Sequence, residues 1–258
     1  MSRIFLIAVL AIALPSAIIA PRTVNIAPQA ATIAPPPAAP PSGRDIVKKM
    51  HGRYAGKWYR SFTFNQTTEV YRNDTLKNTS TWYEFIRFPD RFRMDFGPAD
   101  SGNAAIFRGD SCYRFKNFQL RSTTINNNEG LIFLLGGMFS YPLDLTYTIL
   151  DSLHYDLSKV REDTWMDRPV YVIGAEGGNQ LWLDRDRLYL SRMIKVDGQQ
   201  TMDARFDGYQ PFDGGWSETK CSFYINGKLI QVETYHDCKA NTTLDDRIFD
   251  PKNFAKSH

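Results

Sequence analysis

The most constraining feature of this sequence is residues 82–96, where a run of aromatic and aliphatic side chains is broken by Pro89-Asp90 and then resumes. Proline cannot donate to a strand ladder and aspartate favours turns, so the run predicts two antiparallel strands joined by a tight connection. Such a sheet carries more aromatic surface than a small antiparallel sheet needs to bury. The excess predicts a pocket for an apolar ligand.

Length and charge narrow the function classes. A chain of 258 residues is long enough for one domain with a sizeable core. Its 31 basic residues are nearly matched by 28 acidic ones, and no cluster of Lys and Arg is visible. Because nucleic-acid-binding modules concentrate basic residues on one face, we expect no nucleic-acid partner. We also expect a monomer.

The N-terminus predicts export. Arg3 precedes the apolar run Ile4–Leu14, as in a secretory signal peptide that would end at Ala20. Pro21 disfavours cleavage there, so an uncleaved anchor is the alternative, although its apolar stretch is marginal for a bilayer core of roughly 30 Å.

Three further segments follow the expected signal peptide of residues 1–20. Residues 21–43 are rich in proline and alanine, which predicts a disordered, partly polyproline tether. We expect the folded domain over residues 44–253 and a short tail over residues 254–258.

The three cysteines leave the disulfide state open. An Asn226-Gly227 turn would place Cys221 opposite Val232, with Cys238 about 20 Å further along the strand. A disulfide between these two cysteines therefore requires a bulge, and Cys112 could pair with either. We interpret all three as structural thiols. The absence of cysteine before Cys112 excludes an acylated N-terminal cysteine.

Hydrophobic periodicity predicts a mainly β (α+β) fold. Residues 46–51 have the spacing of a short helix, and from Trp58 the period changes to two. Asn73-Asp74 and Lys77-Asn78 have turn chemistry. Further strands are predicted at 79–88, 91–97, 104–108, 111–116, 157–162, 169–175, 180–185, 190–197, 201–209, 216–225 and 228–236. The result is a strongly curved antiparallel sheet, or open half-barrel, of about eleven strands wrapped round two or three helices.

A second helix candidate is apolar on every side. It follows the polar cap residues 126–129 and consists of Leu131, Ile132, Phe133, Leu134 and Leu135. Such a segment must be covered all round or lie over a cavity. We expect a lid that fills the cavity when it is empty and swings out to admit a ligand. The alternative is a permanently packed core helix. Another helix is predicted at 144–153.

Five short segments occur in a characteristic order, namely Phe64-Asn65-Gln66, Pro89–Phe92, Ile106–Asp110, Leu181–Asp184 and Phe249-Asp250-Pro251. Together they resemble motifs of the periplasmic lipoprotein-carrier family, the LolA/LolB-like group that includes RseB-type sensors. The resemblance covers roughly residues 44–253. It implies a bacterial periplasmic protein, or one anchored in the inner membrane, that binds a lipid or an acylated protein.

One departure from the family pattern bears on function. Family carriers that handle lipoproteins have an arginine directly before the proline that helps hold the lid shut. Here Phe88 occupies that place and Arg87 lies one residue earlier. A one-residue shift in a strand turns a side chain to the opposite face. Lipoprotein hand-over is therefore in doubt, whereas apolar binding remains expected.

We expect the cavity wall to be built from apolar side chains of these strands, because two or three short helices cannot fill a half-barrel. The candidates are Trp58, Phe62, Phe64, Trp82, Phe85, Phe92, Met94, Phe96, Ile106, Trp182 and Met193.

No catalytic, metal or cofactor constellation is evident. None of the four histidines has metal-ligand spacing, and no nucleophile or phosphate-binding motif is present. The sequence His236-Asp237-Cys238 suggests a nucleophile site. On a regular strand, however, His236 and Cys238 would share a face about 6.8 Å apart and Asp237 would point away, so we interpret these residues as structural. We expect a non-enzymatic carrier without cofactor or metal, with an inner- or outer-membrane protein as a further partner. The alternative is an envelope sensor or scaffold of the same fold that binds a protein.

Overall fold

The computed structural model of the chain describes residues 41–125 and 129–254, and all statements below concern these residues. The expected signal peptide, the tether up to residue 40, the cap residues 126–128 and residues 255–258 of the tail lie outside them. Among the described residues, no helix combines the length and apolarity needed to cross a membrane.

The first element, α1 (Gly43–Tyr54), begins at a capping box. The Ser42 hydroxyl accepts a hydrogen bond from the Asp45 amide at 3.2 Å, and the Asp45 carboxylate accepts one from the Ser42 amide at 3.1 Å. This exchange satisfies two amides that a helix start leaves without partners. The buried face of α1 consists of Ile46, Val47, Met50 and Tyr54.

Strands are the predominant element of the described residues. Their bounds are β1 (Ser61–Arg72), β2 (Thr75–Arg87), β3 (Arg91–Phe96), β4 (Ala104–Arg108), β5 (Ser111–Lys116), β6 (Gln119–Ile125), β7 (Val160–Trp165), β8 (Arg168–Ile173), β9 (Gln180–Asp184), β10 (Leu190–Asp197), β11 (Gln200–Asp207), β12 (Gln210–Phe212), β13 (Gly215–Ser217), β14 (Lys220–Ile225) and β15 (Lys228–Ala240). The remaining helices are α2 (Glu129–Leu134), α3 (Leu143–Ser152) and α4 (Pro251–Phe254), with 3-10 turns at Ala99–Ser101, Gly137–Ser140 and Asp246–Phe249.

Thirteen strands form one antiparallel sheet in the order β6-β5-β4-β3-β2-β1-β15-β14-β11-β10-β9-β8-β7, and β12 and β13 form a separate ribbon. The first and last strands of the domain thus pair at the middle of the sheet. The edge strands β6 and β7 do not pair with each other, so the sheet stays open. The predicted half-barrel is confirmed.

Several local predictions were wrong. Strand β6 was missed because nearly all its side chains are exposed, which leaves no apolar period to detect. Lys77-Asn78 is not a turn but lies in the exposed outer half of β2. The turn predicted at Asn73-Asp74 is confirmed, since both residues have positive φ, as a tight two-residue hairpin requires.

The hairpin of β14 and β15 contains a bulge at Ile230. Tyr224 pairs with Leu229, whereas the preceding Phe223 pairs with Gln231. The extra residue places Cys221 opposite Glu233 and not opposite Val232, because each later pair is shifted by one. All three cysteines are free thiols.

Other elements pack on both faces of the sheet. On the concave face, α1, α2 and α3 pack against β8 to β11, as the buried cluster of Val47, Phe133, Leu150, Ile173, Leu181 and Met193 shows. On the convex face, the C-terminal segment packs against β3 and β4. There Phe254 contacts Ile106, and the Arg93 guanidinium lies 4.8 Å from the centre of the Phe254 ring.

Phe249 provides a test of this C-terminal closure. Its side chain is 0% exposed, so Phe249→Ala leaves a cavity and should lower the free energy of unfolding by about 3–5 kcal/mol. Leu120→Ala is the control, because Leu120 is 50% exposed and its loss should cost about 0.5 kcal/mol or less. Urea unfolding measures both. Equal effects of the two changes would contradict this packing.

Candidate ligand-binding cavity

A cavity of about 350 Å³ lies between the concave face of the sheet and α2. We call it the concave cavity. Strands β1, β2, β3, β11, β14 and β15 supply its wall. Its apolar lining consists of Tyr59, Phe62, Phe64, Trp82, Ile86, Phe88, Phe92, Met94, Phe96, Leu131, Ile132, Leu135, Met202, Phe223, Ile230 and Tyr235.

Strand pairing explains why these side chains meet. Neighbours directly opposite in an antiparallel sheet point to the same face. Phe62 pairs with Ile86, which pairs with Phe92. In the next row Phe64 pairs with Glu84, which pairs with Met94. The rows run across the curved sheet and give the cavity its floor.

Six of the eleven residues predicted for the cavity wall line this cavity. They are Phe62, Phe64, Trp82, Phe92, Met94 and Phe96.

Phe85 and Ile106 lie on the convex face, because strand side chains alternate between faces. Phe85 sits between Glu84 and Ile86, which both line the cavity, and the Arg93 guanidinium lies 5.9 Å from the centre of its ring. Ile106 belongs to the cluster that Phe254 covers. The neighbouring residue on β4, Phe107, points to the concave face and pairs with Phe92.

Trp182, Met193 and Trp58 also lie outside the concave cavity. Trp182 is on the convex face, where the Arg192 guanidinium lies 4.7 Å from its ring. Met193 is on the concave face, but the helices cover it there. Trp58 precedes β1 and packs against Tyr54 and Phe139 at ring separations of 5.0 and 4.7 Å.

The five lid candidates point in different directions around α2 and the residue that follows it. Leu131, Ile132 and Leu135 line the concave cavity. Phe133 lines a second cavity of about 370 Å³, which we call the flanking cavity. Leu134 packs in the main core. Residues 131–135 are therefore apolar on every side because each side faces a cavity or the main core.

The two cavities are neighbours. Phe92 and Ile132 line both the concave cavity and the flanking cavity. Displacement of these two side chains would join the two volumes.

The end of α2 is fixed by a close backbone approach. A Cβ atom on Gly136 would lie 2.3 Å from Trp58 Nε1 and 3.0 Å from Phe88 Cζ, and its φ is +153°. A Cβ atom on Gly137 would lie 3.0 Å from the Pro89 carbonyl oxygen. Only glycine allows the chain after α2 to pass this close to the β2–β3 turn.

A belt of acceptors crosses the otherwise apolar cavity. We call Gln66, Glu84, Glu218 and Glu233 the acceptor belt. The three glutamates line the cavity and are 6%, 5% and 8% exposed, respectively. Gln66 is 0% exposed and stands on β1 between Trp82 and Tyr235 of the adjoining strands.

Glu233 is the best satisfied member of the belt. Its carboxylate accepts hydrogen bonds from Gln231 Nε2 at 2.6 Å and from the Tyr235 hydroxyl at 3.0 Å. The Cys221 thiol lies 3.2 Å from the same Tyr235 hydroxyl and donates weakly towards Glu218 at 4.0 Å.

Burial changes the charge state of the belt. Desolvation raises the pKa of Glu218 to about 7. It also raises the pKa of Glu84 well above its ordinary value, and the nearby charge of Glu233 acts in the same direction. Burial raises the pKa of Glu233 too, against its hydrogen bonds. Removal from water penalises each carboxylate, so the protonated forms are favoured.

The acceptor belt was missed in the sequence. Glu84 lies two residues from both Trp82 and Ile86, so alternation alone places it on their face and could have revealed it. Gln66 was likewise available from its spacing to Phe64. Glu233 joins them only through the pairing of β1 with β15, and Glu218 through the segment before β14, where the Tyr235 amide donates to the Thr219 carbonyl at 2.8 Å. Neither long-range contact can be predicted from a local sequence pattern.

The segment 236–238 is not a nucleophile site. A second bulge on β15 lies here, because Asn65 pairs with His236 whereas Thr63 pairs with Lys239. His236 contacts the Thr67 hydroxyl at 3.2 Å, and Cys238 packs against the concave cluster. The two side chains lie on opposite faces, contrary to the regular-strand expectation. No group of His, Cys, Asp or Glu in the described ranges is arranged to hold a metal.

Arg87 lies on the convex face, as the one-residue shift predicts. It donates to Asp246 at 2.9 Å and to the Leu244 carbonyl, and its guanidinium lies 5.8 Å from the Phe249 ring. It holds the C-terminal segment and does not contact α2.

Comparison with solved structures identifies the same fold. A DUF1329 family protein from Desulfovibrio piger is 15% identical, with a TM-score of 0.58 over 81% of this chain and 95% of that chain. A LolA superfamily protein from Nitrosomonas europaea is 15% identical, with a TM-score of 0.54 over 82% and 98%. An outer membrane lipoprotein-sorting protein domain from Vibrio parahaemolyticus is 12% identical, with a TM-score of 0.57 over 83% and 98%.

No family model and no curated protein sequence matches this chain. The expected resemblance to LolA-like proteins is confirmed at the level of the fold.

The raised pKa of Glu218 predicts a pH-dependent stability. Between its ordinary pKa of 4.5 and about 7, the native state binds more protons than the unfolded state. The free energy of unfolding should therefore fall as pH rises through this window, by about 3 kcal/mol for this group. Urea unfolding from pH 4.5 to pH 8 measures the slope. Glu218→Gln should flatten it, and the exposed Glu176→Gln should not. An identical slope in Glu218→Gln would contradict the assignment.

The close backbone approach at Gly136 predicts that two glycine-to-alanine substitutions lower the stability of the protein by different amounts. Gly136→Ala adds both a collision with Trp58 and backbone strain, whereas Gly109→Ala adds strain alone, because φ is +59° there and nothing lies within 4 Å of its Cβ position. Strain of this kind costs about 1–3 kcal/mol. Gly136→Ala should lower the free energy of unfolding by at least ~1 kcal/mol more than Gly109→Ala does. Denaturant unfolding followed by tryptophan fluorescence provides the comparison, and equal losses would refute the close approach.

Proposed function

We propose that this protein is a non-catalytic carrier that holds a lipid, or the acyl chains of an acylated protein, in the concave cavity. The observation that carries the proposal is the aromatic cavity between a half-open sheet and a helix that is apolar on every side. The fold similarity to a lipoprotein-sorting domain supports the same class of ligand.

The size and lining of the cavity suit such a ligand. Its volume of about 350 Å³ falls within the range of roughly 300–1,000 Å³ that ligand pockets occupy. Burial of an acyl chain of some fourteen methylenes contributes about 11 kcal/mol at ~0.8 kcal/mol per methylene. Association and ordering cost about 4–15 kcal/mol, which leaves micromolar binding within reach.

Movement of α2 as a lid would give the ligand a route into the concave cavity. All side chains that α2 presents to the two cavities are apolar, and Arg87 is engaged on the opposite face. Outward movement of residues 131–135 therefore breaks no ion pair, because all five side chains are uncharged. Displacement of Ile132 would join the concave and flanking cavities and make room for a longer chain.

The proposed compartment is the bacterial periplasm. The apolar N-terminal segment and the Pro/Ala-rich tether support export, and the lipoprotein-sorting fold supports the envelope. An inner-membrane anchor with the same orientation would place the cavity on the same side of the membrane.

Two adjacent aromatic residues test the cavity assignment. Trp82 and Tyr83 are both half-buried, but Trp82 lines the concave cavity whereas Tyr83 points to the other face of β2. Trp82→Asp places a carboxylate in the apolar site and should weaken binding of a fluorescent fatty acid at least ~10-fold, or ~1.4 kcal/mol. Phe92→Asp should act in the same way.

Tyr83→Asp is the matched control and should leave binding within about twofold. Fluorescence titration gives the affinities, and circular dichroism verifies that each variant is folded. Undiminished binding by folded Trp82→Asp would remove the concave cavity as the ligand site.

A further inference from the structure

The acceptor belt contains two groups that the fold leaves unsatisfied. Throughout the described ranges, no hydrogen-bond donor contacts the carboxyl group of Glu84, although the residue is 6% exposed and lines the concave cavity. Gln66 donates through Nε2 to the Thr68 hydroxyl at 2.9 Å, but its Oε1 atom is buried without a partner. Gln66 Oε1 is a buried acceptor without a donor, which is uncommon and costs free energy. The Glu84 carboxyl group faces the concave cavity, which makes it the candidate for contact with a ligand.

The charges around the belt are of one sign. None of Glu84, Glu218 and Glu233 forms an ion pair with a lysine or arginine of residues 41–125 and 129–254. Arg114 is the one cationic side chain among the cavity-lining residues described, and it is exposed at the rim. Because the one described cation lies exposed at the rim and the carboxyl groups are mostly buried, the belt presents a concentrated negative potential when it ionises.

A purely hydrocarbon ligand would not complement this region. It would leave the acceptors of Glu84 and Gln66 unpaired in a still drier site. An anionic head group would be repelled by each carboxylate of the belt that is ionised, and its charge would oppose further ionisation. A head group with several N–H donors and a positive charge satisfies both requirements at once.

We propose that the acceptor belt binds the protonated amine of an amphiphile whose hydrocarbon chain lies against the apolar part of the concave cavity. This inference rests on the proposed function and specifies the ligand class. The ammonium group donates to the carboxylates of Glu84 and Glu233, and the chain extends towards Phe62, Phe92 and α2.

Binding of a cation should also shift protons. Glu218 has a pKa of about 7, so at pH 6 most of it carries a proton. An ammonium group favours the ionised carboxylates, so its arrival expels protons from the belt. The titratable groups that face one another here are Glu84, Glu218, Glu233, Tyr59, Tyr209, Tyr235, Cys221 and Cys238, with Arg114 at the rim of the cavity. A chain without a charge would release none.

The test compares dodecylamine with dodecan-1-ol, which has the same chain and a neutral head. Isothermal titration at pH 6 in two buffers of different ionisation enthalpy gives both the affinity and the number of protons released. The unaltered protein should bind the amine roughly 10- to 100-fold more tightly than the alcohol, since charge-assisted hydrogen bonds are worth that much. Amine binding alone should release protons.

Glu84→Gln and Glu233→Gln keep the shape of the side chain and remove its charge. In each, the ratio of amine to alcohol affinity should fall towards one and the proton release should shrink. Glu176→Gln, on an exposed turn, should retain the ratio of the unaltered protein. Thermal unfolding of each variant verifies that it is folded.

Two outcomes overturn the inference in distinguishable ways. Equal affinities for amine and alcohol, or a preference that persists in both variants, would reject the ammonium site while chain binding stands. Failure of both ligands to bind would reject the proposed function and this inference with it.

Discussion

The structure depends on a mismatch between a strongly curved sheet and the helices available to cover it. Side-chain alternation gives the sheet two faces, and both carry aromatic residues. The C-terminal segment with Phe249 and Phe254 covers part of the convex face. On the concave face the helices reach β8 to β11 but leave β1, β2 and β3 beneath α2 only partly filled. The cavity is what remains when this face cannot be covered completely.

The pairing of the strands also places polar side chains in a cavity whose other walls are apolar. Pairing of β1 with β15 puts Gln66 and Glu233 on adjoining rows of the concave face, and β2 adds Glu84. Three carboxyls in an enclosed site lower stability unless they are protonated or paired. Their persistence beside Phe64 and Met94 is understandable if a ligand supplies the missing donors. Apolar walls and acceptor belt together describe an amphiphile better than a simple chain.

Sequence reasoning reached the architecture because its signals were local. The alternation around Pro89 predicted the β2–β3 hairpin, and the apolar run from Leu131 predicted α2. Sequence patterns failed where strand pairing decides which side chains share a face. Phe85 was assigned to the cavity for its aromaticity, although its parity with Trp82 places it on the other face. The bulge at Ile230 and the exposed strand β6 leave no periodic trace, and the meeting of Glu84 with Glu233 requires the pairing of β1 with β15.

Native mass spectrometry of the full-length protein, released gently from a bacterial envelope, tests whether the concave cavity holds an amphiphilic ligand, as we propose. We expect a one-to-one complex whose added mass fragments into an acyl or alkyl chain. Trp82→Asp should lose this complex and Tyr83→Asp should retain it. A protein that emerges empty, and that stays empty after incubation with envelope lipid extract, would contradict the claim.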